Sequence, residues 1–132
     1  MHTPITAFYA GLLAFMYVYL SALVINGRRS KRISLGDNND KQMGRLIRAH
    51  GNFIEYVPLI LILMLIAELN QMHQVWIHLT GSLLLLGRVL HAVGLTRKTS
   101  LSWHRVAGMV LTLCALLQMA ALNLVTFYFL PA

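Results

Sequence analysis

The sequence predicts an all-α integral membrane protein, a bundle of four transmembrane helices. Three observations carry that prediction. Of 132 residues, 58% are hydrophobic and 11% charged, with a mean hydropathy of +0.65, whereas roughly a quarter of an average soluble protein is charged. Four apolar runs each reach the ~20 residues needed to cross the hydrocarbon core. The Lys and Arg residues lie in or beside two of the three connections, and the remaining connection has none.

The first run covers about residues 4–26 and is uncharged, with Pro4 suited to a helix's first turn, where the missing N–H costs nothing. It has no basic segment before it and is long enough to span, so it reads as a helix rather than a signal peptide. Asn26 and Gly27 are expected to end it ahead of the basic run Arg28, Arg29, Lys31, Arg32, and residues 33–44 read as a polar loop. The second run, residues 45–69, carries Pro58 as an expected kink. After a short turn at 70–74, the third run spans about 75–95, with Arg88 and His91 near its end. A basic connection with Arg97 and Lys98 leads to the fourth run, about 103–130, which opens with His104 and Arg105. One domain, residues 1–132, holds all four helices.

Formal charge +7 raises the possibility of nucleic acid. The cations adjoin apolar runs, however, where cytoplasmic orientation and anionic lipid headgroups account for them, so no nucleic-acid partner is expected. Cys114 is the lone cysteine, set in an apolar run, and reads as an inert small hydrophobe. By the positive-inside rule both basic loops face the cytoplasm and both termini the other side. That topology brings Arg28 and Arg29, then Arg48, Asn52 and Glu55, then Arg88 and His91, then Arg105 to one membrane depth, in the cytoplasmic half of the bundle.

The densest part of this convergence opens the second helix. At ~3.6 residues per turn, Arg48, Asn52, Glu55 and Tyr56 share one side. Ionisable groups inside a membrane are costly and usually mark a site. A helix of 25 residues also rises ~37 Å against a ~30 Å core, leaving its first turns for a half-wet cavity. Arg48 and Glu55, two turns apart, are expected to be too distant to pair without Asn52 or a ligand between them. The bland alternatives are that Glu55 forms an interhelical salt bridge with Arg88 or an arginine of another subunit, and that Arg88 and His91 snorkel to the headgroups. His50 points away from the stripe and suits core or interface packing. His73 and His78 read as interfacial on the other side, and Tyr17, Tyr19, Trp76, Trp103 and Tyr128 as packing or membrane-interface aromatics. No His or carboxylate pair has metal-ligand spacing, no serine stands with a base and an orienting acid, and no Gly-rich turn precedes a helix as in a phosphate loop. Many cations with one carboxylate, one amide and one phenol suit a small anion carrying several carboxylates and an amine.

These residues resemble a known family. RAHGNFIEYVP, residues 48 to 58, is similar to the helix-two signature R-x-x-x-N-x-x-E-Y-x-P of the MAPEG family, membrane-associated proteins of eicosanoid and glutathione metabolism. VINGRR at 24–29, GRVLH at 87–91 and RVAG at 105–108 support the match, and the resemblance runs over nearly the whole chain in length, helix count and order. It implies a homotrimer of four-helix subunits, in a short form like the bacterial branch, placed in the inner membrane. Glutathione would lie between neighbouring subunits near the cytoplasmic face. By position, Arg48, Asn52, Glu55, Tyr56, Arg88 and His91 would contact the tripeptide, Glu55 at its amine and arginines at its carboxylates, with Arg28 or Arg29 assisting. Arg105 matches the family arginine assigned to the thiolate, and a guanidinium beside a thiol favours the nucleophilic anion on physical grounds as well. Leu95 stands where several members have tyrosine, and Val106 and Met109 replace a serine and a tyrosine of some prostaglandin-forming members. Prostaglandin isomerase chemistry and leukotriene synthesis are therefore not expected.

Three functions follow as expectations. The leading one is a glutathione transferase or glutathione-dependent peroxidase acting on a lipophilic electrophile or hydroperoxide held against a face of helices one and four. The second is a non-catalytic membrane scaffold that binds glutathione or lipid. The third is a small transport component, disfavoured by the few polar groups in the outer half.

Overall fold

In a computed structural model, which describes residues 2–96 and 103–129, the chain forms four helices and, among the described residues, no strand. They are α1 (Pro4–Lys31), α2 (Lys41–Leu69), α3 (Gln74–Thr96) and α4 (Trp103–Phe129). All four are long and apolar enough to cross a membrane. The expected basic connection at Arg97 and Lys98, and the end of the fourth run at Leu130, fall outside the described residues.

Helix α1 passes straight through Asn26-Gly27, five residues beyond its expected end, and the reason is packing. A Cβ on Gly27 would stand 3.0 Å from Leu46 Cδ1 and 3.1 Å from Met43 Sδ. The glycine thus admits the start of α2 to close approach rather than terminating α1. The helix stops at Arg32, in the left-handed conformation at φ 55°, where the amide of Ile33 returns to the carbonyl of Arg28. Gly36, Asn38 and Asn39 also take positive φ and turn the chain, Gly and Asn being the residues that bear it most readily.

Helix α2 begins four residues earlier than expected because Asp40 caps it. Its Oδ1 accepts from the Met43 amide at 2.7 Å, and its Oδ2 from Lys31 Nζ at 2.6 Å. The connection between the first two helices is therefore a tight charged clip rather than a long loop. Further on, α2 stays continuous past Pro58. At 29 residues it is ~43 Å long, more than the ~30 Å hydrocarbon core, so it has length to spare.

Helix α2 is the hub, touching the other three, while α3 and α4 form the most extensive pair. Among the described residues, helix α1 packs on α2 and α3 and not on α4. The described residues of one chain therefore do not form the expected helix-one/helix-four face. The core is a column of buried apolar side chains, among them Leu13, Leu20, Ile60, Met64, Leu84 and Met119. Only 17% of the most apolar stretches of α1 and α4 is buried inside the chain. Phe15, Val18, Leu117 and their neighbours face outward, as they must where the surroundings are lipid or other subunits.

Candidate functional site

The end of the bundle where α1 and α3 finish and α2 and α4 begin contains a cavity of about 530 Å3. Helix α2 contributes Arg48, Asn52 and Tyr56, one turn apart along one stripe. Helix α3 contributes His91 and Leu95, and α4 contributes Arg105, Val106, Met109, Val110 and Leu113. One wall is thus a stack of hydrogen-bonding groups and the other an apolar strip, the size and character of a small-molecule site.

Glycine brings α3 and α4 close enough to build it. A Cβ on Gly108 would lie 2.5 Å from both the Gly87 carbonyl oxygen and the His91 amide nitrogen, and one on Gly94 would lie 2.6 Å from the Arg105 amide nitrogen. With hydrogen there instead, the two backbones touch, and the first turn of α4 sets Arg105 beside the last turns of α3.

Five of the nine residues expected at the site therefore meet around one cavity: Arg48, Asn52, Tyr56, His91 and Arg105. His91 is buried, 6% exposed, and does not snorkel. Glu55 sits just outside and accepts a hydrogen bond from Arg48 at 3.4 Å. This overturns the expectation that the two are too far apart to pair. Two helical turns rise ~10.5 Å, and the extended arginine stem covers more than half of that while the glutamate reaches back for the rest. Both side chains are well exposed, 65% and 50%, so the pair adds little stability, ~0–1 kcal/mol.

Arg88 is placed quite differently from either expectation. It is 2% exposed, so it does not snorkel, and among the described residues it pairs with no carboxylate. Its Nη1 donates to Asn52 Oδ1 at 2.6 Å and its Nε to Thr112 Oγ1 at 3.0 Å, while Nη2 approaches Met109 Sδ at 3.9 Å. The guanidinium carbon lies 5.9 Å from the centre of the Tyr56 ring. Thr112, a residue the sequence did not single out, completes the chain by donating to the Gly108 carbonyl at 2.8 Å. Arg88 consequently stands behind the cavity wall rather than in it.

Arg28 and Arg29 are not among the residues lining the cavity. Arg28 donates to the Gly36 carbonyl at 2.9 Å and steadies the turn, and Arg29 is exposed. His50 faces α1, as packing suggested, stacked 5.1 Å from Tyr17 and 3.0 Å from Ser21 Oγ. The apolar wall was also missed as a wall, although Arg105, Val106, Met109, Val110 and Leu113 follow the spacing of one helical face.

The opposite end has its own polar cluster, beside a second cavity of about 490 Å3 that Glu68 lines together with His2, Gln71 and His73. Glu68 accepts from the amides of Ile5 at 2.9 Å and Thr6 at 2.8 Å, capping α1 from the last turn of α2. Tyr9 Oη lies 2.9 Å from Ser82 Oγ and donates to the His78 carbonyl at 3.1 Å.

Fold and site together define a multi-pass α-helical membrane protein with a cation-lined cavity at one end of its bundle. A model of the MAPEG family matches residues 6–125, and this chain belongs to that family. It is similar to the inner membrane protein YecN of Escherichia coli K12, 37% identical over 120 residues that cover 91% of this chain and 90% of YecN. The protein of the same name from Escherichia coli O6:H1 matches to the same extent.

Proposed function

We propose that this chain is a glutathione transferase, or a glutathione-dependent peroxidase, of the inner membrane. The observation that carries the reading is the cavity itself, where Arg48, Asn52, His91 and Arg105 supply donors beside an apolar strip along α4. A peptide with two carboxylates and a thiol matches the first wall, and a lipophilic partner matches the second. Arg48 takes a carboxylate, Glu55 leaves its weak pair with Arg48 for the peptide amine, and Tyr56 supplies a phenol. Arg105 holds the thiol as thiolate by favouring its charged form. In transfer, the thiolate sulfur bonds to the electrophilic carbon as the leaving group departs with its electron pair. In peroxide reduction it attacks an O–O bond, releasing an alcohol, and a second thiol then gives disulfide and water.

Two further features belong to the proposal. A homotrimer would supply between chains the helix-one/helix-four face that a single chain lacks, and would cover apolar surface now facing outward. The basic end faces the cytoplasm, following the distribution of Lys and Arg, in the membrane where YecN is named as residing.

The alternative is a non-catalytic scaffold that holds glutathione or lipid. It is favoured by one specific feature, the α3 and α4 wall of Leu95, Val106, Met109, Val110 and Leu113, which offers no hydroxyl to a reacting group. Purified protein titrated with glutathione decides between them. The enzyme reading expects a saturable ultraviolet thiolate band and turnover of lipophilic electrophiles or hydroperoxides. Binding without band or turnover selects the scaffold, and absence of any glutathione binding by folded protein removes both.

A further inference from the structure

We infer that Arg88 is a positioning residue that fixes the side-chain amide of Asn52, so that the Asn52 NH2 group is what the cavity presents to an anionic ligand. The inference rests on the anion-binding reading of the cavity but adds a residue that no cavity contact assigns.

The argument starts from chemistry. A guanidinium can only donate, and an asparagine side chain has a single acceptor, its Oδ1. The 2.6 Å contact between Arg88 Nη1 and Asn52 therefore leaves no choice of orientation. The oxygen is turned inward to Arg88, and the two N–H donors take the other side. Asn52 itself is 93% buried and lines the cavity, while Arg88 does not.

Arg88 is itself held from flipping or sliding. Thr112 donates its hydroxyl proton to the Gly108 carbonyl and so offers a lone pair to Arg88 Nε. Met109 and the Tyr56 ring close the remaining sides. One side chain on α3 thus touches α2 through Asn52 and Tyr56 and α4 through Thr112 and Met109, and three of those four residues line the cavity.

The electrostatics point the same way. The chain has four acidic side chains, all among the described residues, and each is engaged elsewhere. Asp37 accepts from the Asn39 amide, Asp40 from Lys31, Glu55 from Arg48, and Glu68 from two amides. Among the described residues, Arg88 is therefore a buried cation whose partners are all neutral. Such a charge is commonly paired when buried. Here its uncompensated field emerges through Asn52 into the cavity and favours an anion there.

Three full-length proteins in detergent or nanodiscs test this: wild type, Arg88→Lys and Asn52→Asp. Lysine keeps the charge but cannot bridge Asn52 and Thr112 at once. Aspartate keeps the acceptor for Arg88 but turns an oxygen, not an N–H group, toward the ligand. Each variant is expected to melt near the wild-type temperature and to bind glutathione at least about tenfold more weakly, the effect of one lost or inverted charge-assisted hydrogen bond. In ligand-free protein, the 15N-resolved NH2 pair of Asn52, assigned by its loss in Asn52→Asp, should be shifted in Arg88→Lys. Glutathione affinities within about threefold of wild type in both variants, or Asn52 NH2 signals unchanged by Arg88→Lys, would overturn the assignment. If wild type binds no glutathione, the proposed function fails, and the ligand-free Asn52 signals still decide the role of Arg88.

Discussion

The two ends of the bundle are made from similar polar residues and use them in opposite ways. At the end where α1 begins, both Glu68 oxygens accept backbone amides, and Tyr9 is tied to Ser82 and His78. These groups satisfy one another and hold helix ends together. At the basic end Arg48, Asn52, Tyr56, His91 and Arg105 converge on a cavity, and the Arg48–Glu55 ion pair beside it is long and exposed. Polar residues in a membrane mark either a fastening or a site, and the difference lies in whether their partners come from the chain itself. That distinction can be broken experimentally.

The largest effect is expected for Arg105→Ala. If the proposed thiolate chemistry holds, removing this cation should lower turnover on the order of a hundredfold, while the half-buried side chain contributes little to melting, and glutathione binding should be retained. Turnover within a few-fold of wild type would reduce Arg105 to a basic residue at the membrane surface. Gly108→Ala follows, because its Cβ would meet two backbone atoms at 2.5 Å. Overpacking of this kind costs ~1–3 kcal/mol, and by spreading α3 from α4 it should weaken ligand binding too. A variant that keeps both stability and affinity would show that the crossing has slack. Glu68→Ala should do the reverse of Arg105→Ala. Two helix N–H groups lose their acceptor, worth ~1–2 kcal/mol, with glutathione affinity unchanged. A change in affinity as large as that in stability would mean the two ends are coupled.

How far the sequence foretold this contrast depends on the range of the interactions. The four helices and the α2 stripe are periodic features, and periodicity places side chains on faces. Helix ends were less legible. Gly27 reads as a terminator because glycine usually is one, yet here it serves a contact with Met43 and Leu46, residues far along the chain. Glu68 went unremarked because its partners lie 62 and 63 residues away. Arg88 and His91 share a face by their spacing, but only Thr112 and Asn52 decide that Arg88 lies behind the wall and not in it. Tertiary partners, not propensity, separate those cases.

The smallest expected effect concerns the clip between α1 and α2, a surface fastening at the site end. The hydrogen bond from Lys31, helped by the Met43 amide, holds the Asp40 carboxyl below the usual carboxylate range. A group whose pKa is depressed on folding stabilises the fold at pH values above its unfolded pKa. That contribution fades as pH falls through the lower, folded value. Melting temperature should therefore decline slightly at the acid end of the carboxylate range. Asp40→Asn keeps an acceptor for the Met43 amide but abolishes the titration and the charge attraction to Lys31. It should melt a little below wild type near neutral pH, and the two curves should converge on acidification. Parallel curves at every pH would show that Lys31 and Asp40 are adjacent without being energetically linked. The clip would then rest on the left-handed turn at Arg32 and the packing of Gly27 alone.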